Sequence, residues 1–414
     1  MSRKLVYVFP GAMDMVAGSV FFVCQVRLAE GLAGSAVGVT GVITTWGIVY
    51  MLCCLLVGRW VTQHSVAWLL IAACGLTAAV AAGFILLPGK VAMYALVVAQ
   101  GVATALFFPP VQFFLKRVDS GQANSAAYSA GIFTFSWSIG FALGPLVAGW
   151  LWQQEWIGWR GCHVFNGLVA MTLGAGVYLL KHHALVEALP PDTSADDSAH
   201  GSPERSRKAT IDYSSMPDLA WMAWVFGGLG SFAFAASRSV FPISGVACGL
   251  SKLEMGAVLF IYCMAQAALA YVLRRSRLWM YRPLPLIAFG LVGVIGLTLF
   301  AVARSAPLFY CAAVCTGMYT GSTFFYLVFH SLVHATRSAR YVAINEAVVG
   351  MTAIAAPYSA GRVADGLGVP FSYTAVAVLI GLAAITQALL HRQHTAAVRA
   401  ASAGAPRRAG VGDL

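Results

Sequence analysis

Charge is scarce in this sequence. Charged side chains make up 10% of its 414 residues and apolar residues 59%, whereas an average soluble domain is about a quarter charged. A single water-soluble core stops growing near roughly 250–300 residues. So much apolar surface has nowhere to hide in water, and its solvent must be lipid. The formal charge of +11 does not make the chain a nucleic-acid binder, because its basic residues are scattered in short pairs between apolar runs. Reaction chemistry is missing too. There is no GxSxG, no HExxH and no metal-spaced histidine cluster, which argues against an enzyme. The nine cysteines (Cys24, Cys53, Cys54, Cys74, Cys162, Cys248, Cys263, Cys311 and Cys315) form no pair of CxxC motifs. Cys311 and Cys315 lie one helical turn apart, but no other ligand type accompanies them. The cysteines read as small packing residues, and neither metal nor cofactor is expected. No Walker motif is present, so ATP is not the expected energy source. The period-2 alternation of a membrane barrel is also absent.

What is present is long apolar runs. A spanning helix needs about 20 mostly apolar residues. Twelve segments qualify: 5–28, 37–57, 66–87, 91–115, 126–152, 163–180, 218–241, 254–273, 283–303, 306–334, 341–363 and 371–390. Arg3 and Lys4 ahead of the first run imitate a signal peptide. The run is too long for one, holds Asp14 and lacks a clear cleavage site, so it reads as a retained span.

Lysine and arginine orient the spans. With the N-terminus in the cytoplasm, the outer loops hold only Arg27, Lys90, Arg160, Lys252, Arg304 and Arg362. The inner loops hold Arg59, Lys116, Arg117, Lys181, Arg205, Arg274, Arg275, Arg337, Arg340 and more. Both termini are therefore expected inside, in an inner or plasma membrane. Trp152, Trp156 and Trp159 read as interfacial anchors at one outer boundary.

One polar stretch, 181–217, breaks the pattern. It is rich in Pro, Ser, Asp and His, a linker composition. It divides the chain into an N-terminal bundle (1–180), the cytoplasmic linker, a C-terminal bundle (218–391) and an Ala/Gly/Arg-rich tail (392–414) expected to be disordered. The halves repeat weakly. Gly31-Leu32 followed by Gly38 recurs as Gly249-Leu250 followed by Gly256, and Pro145 with Gly149 recurs as Pro357 with Gly361.

This organisation resembles the major facilitator superfamily. The segment Gly140-Phe-Ala-Leu-Gly144-Pro145-Leu-Val-Ala148-Gly149 is similar to that superfamily's fifth-span motif, with Ala148 in place of one glycine. The loop after the second span keeps Gly58 and Arg59, but the expected acid falls on Thr62. The resemblance implies an all-α membrane protein of two pseudo-symmetric six-helix bundles, working as a monomeric secondary transporter of a small solute. The fifth-span motif is frequent in antiporter branches, which tilts the expectation towards export. Its glycines at four-residue spacing allow close helix approach, and Pro145 kinks its helix. Together with Pro357, Gly361, Gly58 and Arg59 they are the interface and gating candidates. A transporter-like sensor without turnover is the alternative; its usual mark, a long structured cytoplasmic extension, is missing.

In the superfamily fold spans 3, 6, 9 and 12 face lipid. Those four carry no Asp, Glu, Lys or Arg, and their only amides are Asn166 and Gln387. The intramembrane charges fall on other spans, where each must face a cavity or a partner. Asp14 lies about 14 Å along span 1 at 1.5 Å per residue. It can carry a proton, counter a cationic substrate, or simply bond neighbouring helices. Glu346, roughly 9 Å along span 11, and His330 on span 10 can form a relay or gate pair, or a structural one. Arg238 near the outer end of span 7 can bind an anion or snorkel to the surface. Gln100, Gln112, Gln266, Asn345, Trp137, Tyr319 and Tyr326 complete the substrate-binding candidates.

Overall fold

A computed structural model describes residues 8–32, 34–57, 59–62, 65–118, 125–180, 218–273, 278–332 and 338–404. Those residues form twelve long helices and no strand. They are α1 (Val8–Arg27), α2 (Ala36–Val57), α3 (Val66–Leu86), α4 (Lys90–Val118), α5 (Ser125–Gln153), α6 (Gly158–Leu180), α7 (Ala220–Ala247), α8 (Lys252–Leu273), α9 (Pro283–Val302), α10 (Ala306–Leu332), α11 (Ser338–Leu367) and α12 (Val369–Gly404). Eleven are long and apolar enough to cross a membrane. The exception is α11, which has the length but carries Asn345, Glu346, Thr352, Ser359 and Arg362 along it. The expected linker 181–217 and Gly58 lie outside the described residues. The last helix continues to Gly404, well into the segment expected as a disordered tail.

The element ends have local causes. Gly31 (φ 136°) and Gly249 (φ 70°), the pair that recurs between the halves, both adopt positive φ in the turns that lead into α2 and α8. That conformation is readily open only to glycine. The repeat is therefore a backbone requirement met twice. A Cβ on Gly31 would meet no atom within 4 Å, so a side chain there costs backbone strain alone. Gly31→Val is expected to lose about 1–3 kcal/mol, read as a lowered thermal midpoint; an unchanged midpoint would mean that the turn relaxes freely. Another positive-φ glycine, Gly158 (φ 59°), turns α5 directly into α6. That is why α6 begins at Gly158, ahead of the apolar run from 163.

Packing follows the two halves. In the first, α1 lies along α5, α3 packs on α4 and α6, and α2 packs on α4. In the second, α7 packs on α10 and α11, α8 on α10, and α9 on α10 and α12. The bundles meet mainly through α5 against α8 and α11 against α2, with lesser contacts of α7 on α1 and α2. Helices α3, α6, α9 and α12 take no substantial part in that junction. Instead they expose large apolar side chains, among them Trp68, Leu168, Met171, Leu291, Leu382 and Ile385. A surface of that kind is stable against lipid, not water. The charge-poor spans of the sequence are thus the outward helices.

The fifth-span motif has two faces. Gly140 and Gly144 sit against the backbone of α1 at Gly11, Met15 and Gly18. Pro145 and Gly149 sit against α8, where Gly256 meets the Pro145 carbonyl and Gly149 meets Lys252. One face binds α5 into its own bundle, and the other forms half of the junction. On the other side of the molecule Gly361 lies against Val37 and Thr40 of α2. The Pro145–Gly149 and Pro357–Gly361 repeat therefore marks equivalent crossings.

Candidate functional site

The junction is sealed at one end of the bundle. Lys252 at the start of α8 pairs with Glu30 beyond α1, and its ammonium lies 5.1 Å from the Trp152 ring centroid. Asp365 near the end of α11 accepts hydrogen bonds from the first N–H groups of α2, Ala36 at 2.6 Å and Val37 at 3.1 Å. A carboxylate from one bundle thus caps a helix N-terminus of the other, where orphan donors and the helix dipole favour negative charge. Slightly deeper, Gln25 donates to the Ser239 carbonyl (3.3 Å) and Thr44 to the Ile354 carbonyl (3.4 Å). Among the described residues no hydrogen bond or ion pair joins the bundles beyond that level. Towards the other end Phe135 and Tyr271 form a tilted ring pair 6.4 Å apart across the junction, and both rings are exposed.

Beneath this seal lie the intramembrane charges. Arg238 is 5% exposed. It does not snorkel. Its guanidinium carbon lies 3.8 Å from the Phe141 ring centroid on α5 and 4.8 Å from that of Phe234, so its head reaches across from one bundle to the other. Its Nε is buried without a partner. Asp14 is half-buried and lies within electrostatic reach of Arg238, yet the two form no ion pair. Tyr50 of α2 is within reach of both Asp14 and Glu346. It stacks on Trp46 at 4.9 Å and 10°, and Trp46 donates from its indole to Thr104 (3.0 Å). Glu346 is exposed at its surface although much of the fold surrounds it. Arg238, Asp14, Tyr50 and Glu346, drawn from both bundles, are therefore within electrostatic reach, each of the next.

The other candidates separate. His330 does not join Glu346, and no ion pair links them among the described residues. It sits among Tyr326 (4.4 Å between ring centroids), Phe329 (5.1 Å) and Tyr281 (5.4 Å) inside the C-terminal bundle. Tyr319 and Tyr326, two turns apart on one helix face, line a small cavity with Ser322, Thr323 and Gln387. They face α9 and α12 and turn away from the junction. Phe324, on the other side of α10, meets Phe234 instead (5.8 Å, 90°). Gln266 accepts from Thr320 at 3.1 Å and ties α8 to α10. Gln100 is fully buried with both amide atoms unpartnered, and Asn345 is buried with a bare Oδ1. Gln112 is exposed and Trp137 half-buried. Arg59 is exposed, and its loop is tied to itself: the Thr62 N–H donates to Ser65 Oγ (2.8 Å) and the Ser65 N–H to Thr62 Oγ1 (3.2 Å). Thr62 replaces the expected acid and closes its own turn.

Sequence reasoning passed over Tyr50, Phe141 and Phe234, because an aromatic in a membrane helix is usually packing. Helical phase supplies the missing signal for one of them: Phe234 stands one turn before Arg238. Trp152 and Trp159, read as interfacial anchors, hold cations. Trp152 flanks Lys252, and Trp159 lies under Arg27 at 3.7 Å. Trp156 alone stands clear, at 85% exposed.

A model of the Major Facilitator Superfamily matches residues 8–338. No curated protein matches the chain in sequence. Solved structures match in fold. A bacterial homologue of the human lysosomal transporter Spinster, in an inward-facing and occupied conformation, superposes with TM-score 0.68 at 13% identity, covering 94% of this chain and 96% of that one. The nucleoside transporter NupG gives 0.65 at 12%, covering 95% and 99%. The human organic anion transporter MFSD10 gives 0.61 at 16%, covering 92% and 98%. At such identities the likeness concerns the fold: a multi-pass membrane protein built as these transporters are.

Proposed function

Because the chain belongs to the major facilitator superfamily, we propose that it is a secondary active transporter that moves a small organic solute by alternating access, coupled to protons. The observation that supports this reading is that Asp14 of one bundle and Arg238 of the other lie within electrostatic reach of each other, while the hydrogen bonds and the ion pair that join the bundles among the described residues gather towards one end. Such a site is reached from the open end, and breaking the seal would expose it to the other.

The lysine and arginine bias puts the seal on the outer face and both termini in the cytoplasm, in an inner or plasma membrane. The conformation is then inward-facing. Asp14 and Glu346 are the proton carriers of this reading. The motif from Gly140 to Gly149 favours export. NupG and MFSD10 are named for unlike solutes, nucleosides and organic anions, so the lining of this chain's own site, not its fold, selects the cargo.

The test joins binding to flux. A ligand at a hundred times its Kd raises stability by about 2.7 kcal/mol, so a thermal-shift screen of the purified chain identifies solutes. Each hit is then offered to proteoliposomes carrying an imposed pH gradient. Uphill accumulation of a hit, abolished by a protonophore, is the expected result. Binding without flux in either direction would overturn the carrier reading and favour a sensor.

A further inference from the structure

A buried guanidinium is costly unless it is paired. It carries five N–H donors and no acceptor, and a charge removed from water without a partner is strongly destabilising. Arg238 is in that situation. It is 5% exposed, its Nε bonds nothing, and it forms no ion pair or hydrogen bond among the described residues. Its guanidinium carbon lies over the Phe141 and Phe234 rings, which recovers part of the cost by cation–π attraction. Ring faces leave the in-plane N–H groups unused. Asp14 is near enough to feel the charge and does not take those bonds. The other groups within electrostatic reach are only weakly polar: the Cys263 thiol, and the Tyr262 hydroxyl, already engaged with Ser237 at 3.1 Å; Phe324 packs beyond Phe234.

We infer that Arg238 is the recognition group for the charged end of a small organic anion, a carboxylate or phosphate with an apolar or aromatic body. The anionic end takes the in-plane N–H pair in the bidentate geometry that arginine offers. The body packs on the phenylalanine wall of Phe141, Phe234 and Phe324. Asp14, being of like sign to the ligand, competes for the same cation. This rests on the transporter reading and narrows its solute to one class of charge.

The test uses the full-length chain in a neutral detergent with three probes that share a phenyl ring and differ in the charge of the head group: benzoate, benzamide and benzylammonium. Benzoate is expected to raise the thermal midpoint, while the neutral and cationic probes leave it unchanged. In Arg238→Gln the dissociation constant for benzoate should rise about 30-fold or more, the usual consequence of removing one partner of a buried charge pair. Arg238→Lys should keep a weakened response, and Asp14→Asn should bind benzoate more tightly than wild type. The inference is overturned if benzamide or benzylammonium stabilises as well as benzoate, if wild type ignores benzoate, or if Arg238→Gln responds as wild type does. Should Arg238→Gln fail to fold, the comparison of the three probes on wild type decides alone. Counterflow of labelled probe in proteoliposomes separates the two readings. Benzoate binding without flux keeps the anion site and removes the carrier. Flux of a neutral or cationic solute with no benzoate response removes the anion site and keeps the carrier.

Discussion

Gly140→Val is expected to leave almost no folded protein. α1 and α5 approach so closely that a Cβ on Gly140 would fall on the carbonyl of Gly11. The Gly11 N–H donates to Ser136 Oγ at 3.0 Å, which fixes the two helices in register at that point. Gly144 meets Met15 in the same way one turn later. The obstacle at both positions is backbone, which cannot rotate aside as a side chain can. The helices must separate along their whole contact, so the cost should exceed the ~1–3 kcal/mol of ordinary overpacking. A total stability of about 5–15 kcal/mol leaves little margin for that loss. The readout is the monodisperse peak and thermal midpoint after purification. Gly75→Val is the control, because a Cβ there meets nothing within 4 Å. Equal yields and midpoints for the two variants would contradict the packing described.

The second large effect concerns coupling. Asp14→Asn and Glu346→Gln should each lower proton-driven accumulation at least about tenfold, equivalent to about 1.4 kcal/mol of lost driving free energy. Exchange of labelled for unlabelled solute should continue in both. The reason is division of labour. The anion is held by Arg238, which neither variant touches. The carboxyl groups, one on each bundle, are both within electrostatic reach of Tyr50, and in this reading they take up and release the proton. Loss of exchange and accumulation together would make the carboxyl groups part of the solute site. Unchanged accumulation in both variants would remove them from the coupling.

Much of the fold was legible because bilayer solvent imposes simple rules. Apolar runs of spanning length located the helices closely, and the absence of charge on spans 3, 6, 9 and 12 marked the outward faces. The glycine repeats were visible as letters, and the backbone explains them: Gly31 and Gly249 share positive φ, and Gly256 and Gly361 mark the two crossings. The site was legible only as a roster of polar residues. Asp14, Arg238 and Glu346 stand out against an apolar background, but their mutual distance depends on three helices from two bundles. Depth along a span placed His330 level with Glu346. The phase of α10 turns that imidazole into its own bundle, among Tyr281, Tyr326 and Phe329. Phase likewise sends Tyr319 and Tyr326 towards α9 and α12 and leaves Phe324 against Phe234 of α7. The seal was invisible. Glu30, Lys252 and Asp365 look like ordinary loop charges until the helix ends that they bridge are brought together.

That seal supplies the most direct test of alternating access. Lys90 and Arg304 are exposed at the sealed end, one on each bundle. Arg27 bonds Pro88 beside the first, and Cys248 bonds Ala303 beside the second. Spin labels at Lys90→Cys and Arg304→Cys, with the nine native cysteines replaced, report the distance between the bundles at that end by pulsed electron resonance. The account predicts a short-distance population for the sealed state. It also predicts a longer one that grows when Glu30→Gln and Asp365→Asn remove the two charged ties. A single distance, unmoved by cutting both ties, would contradict alternating access in this protein.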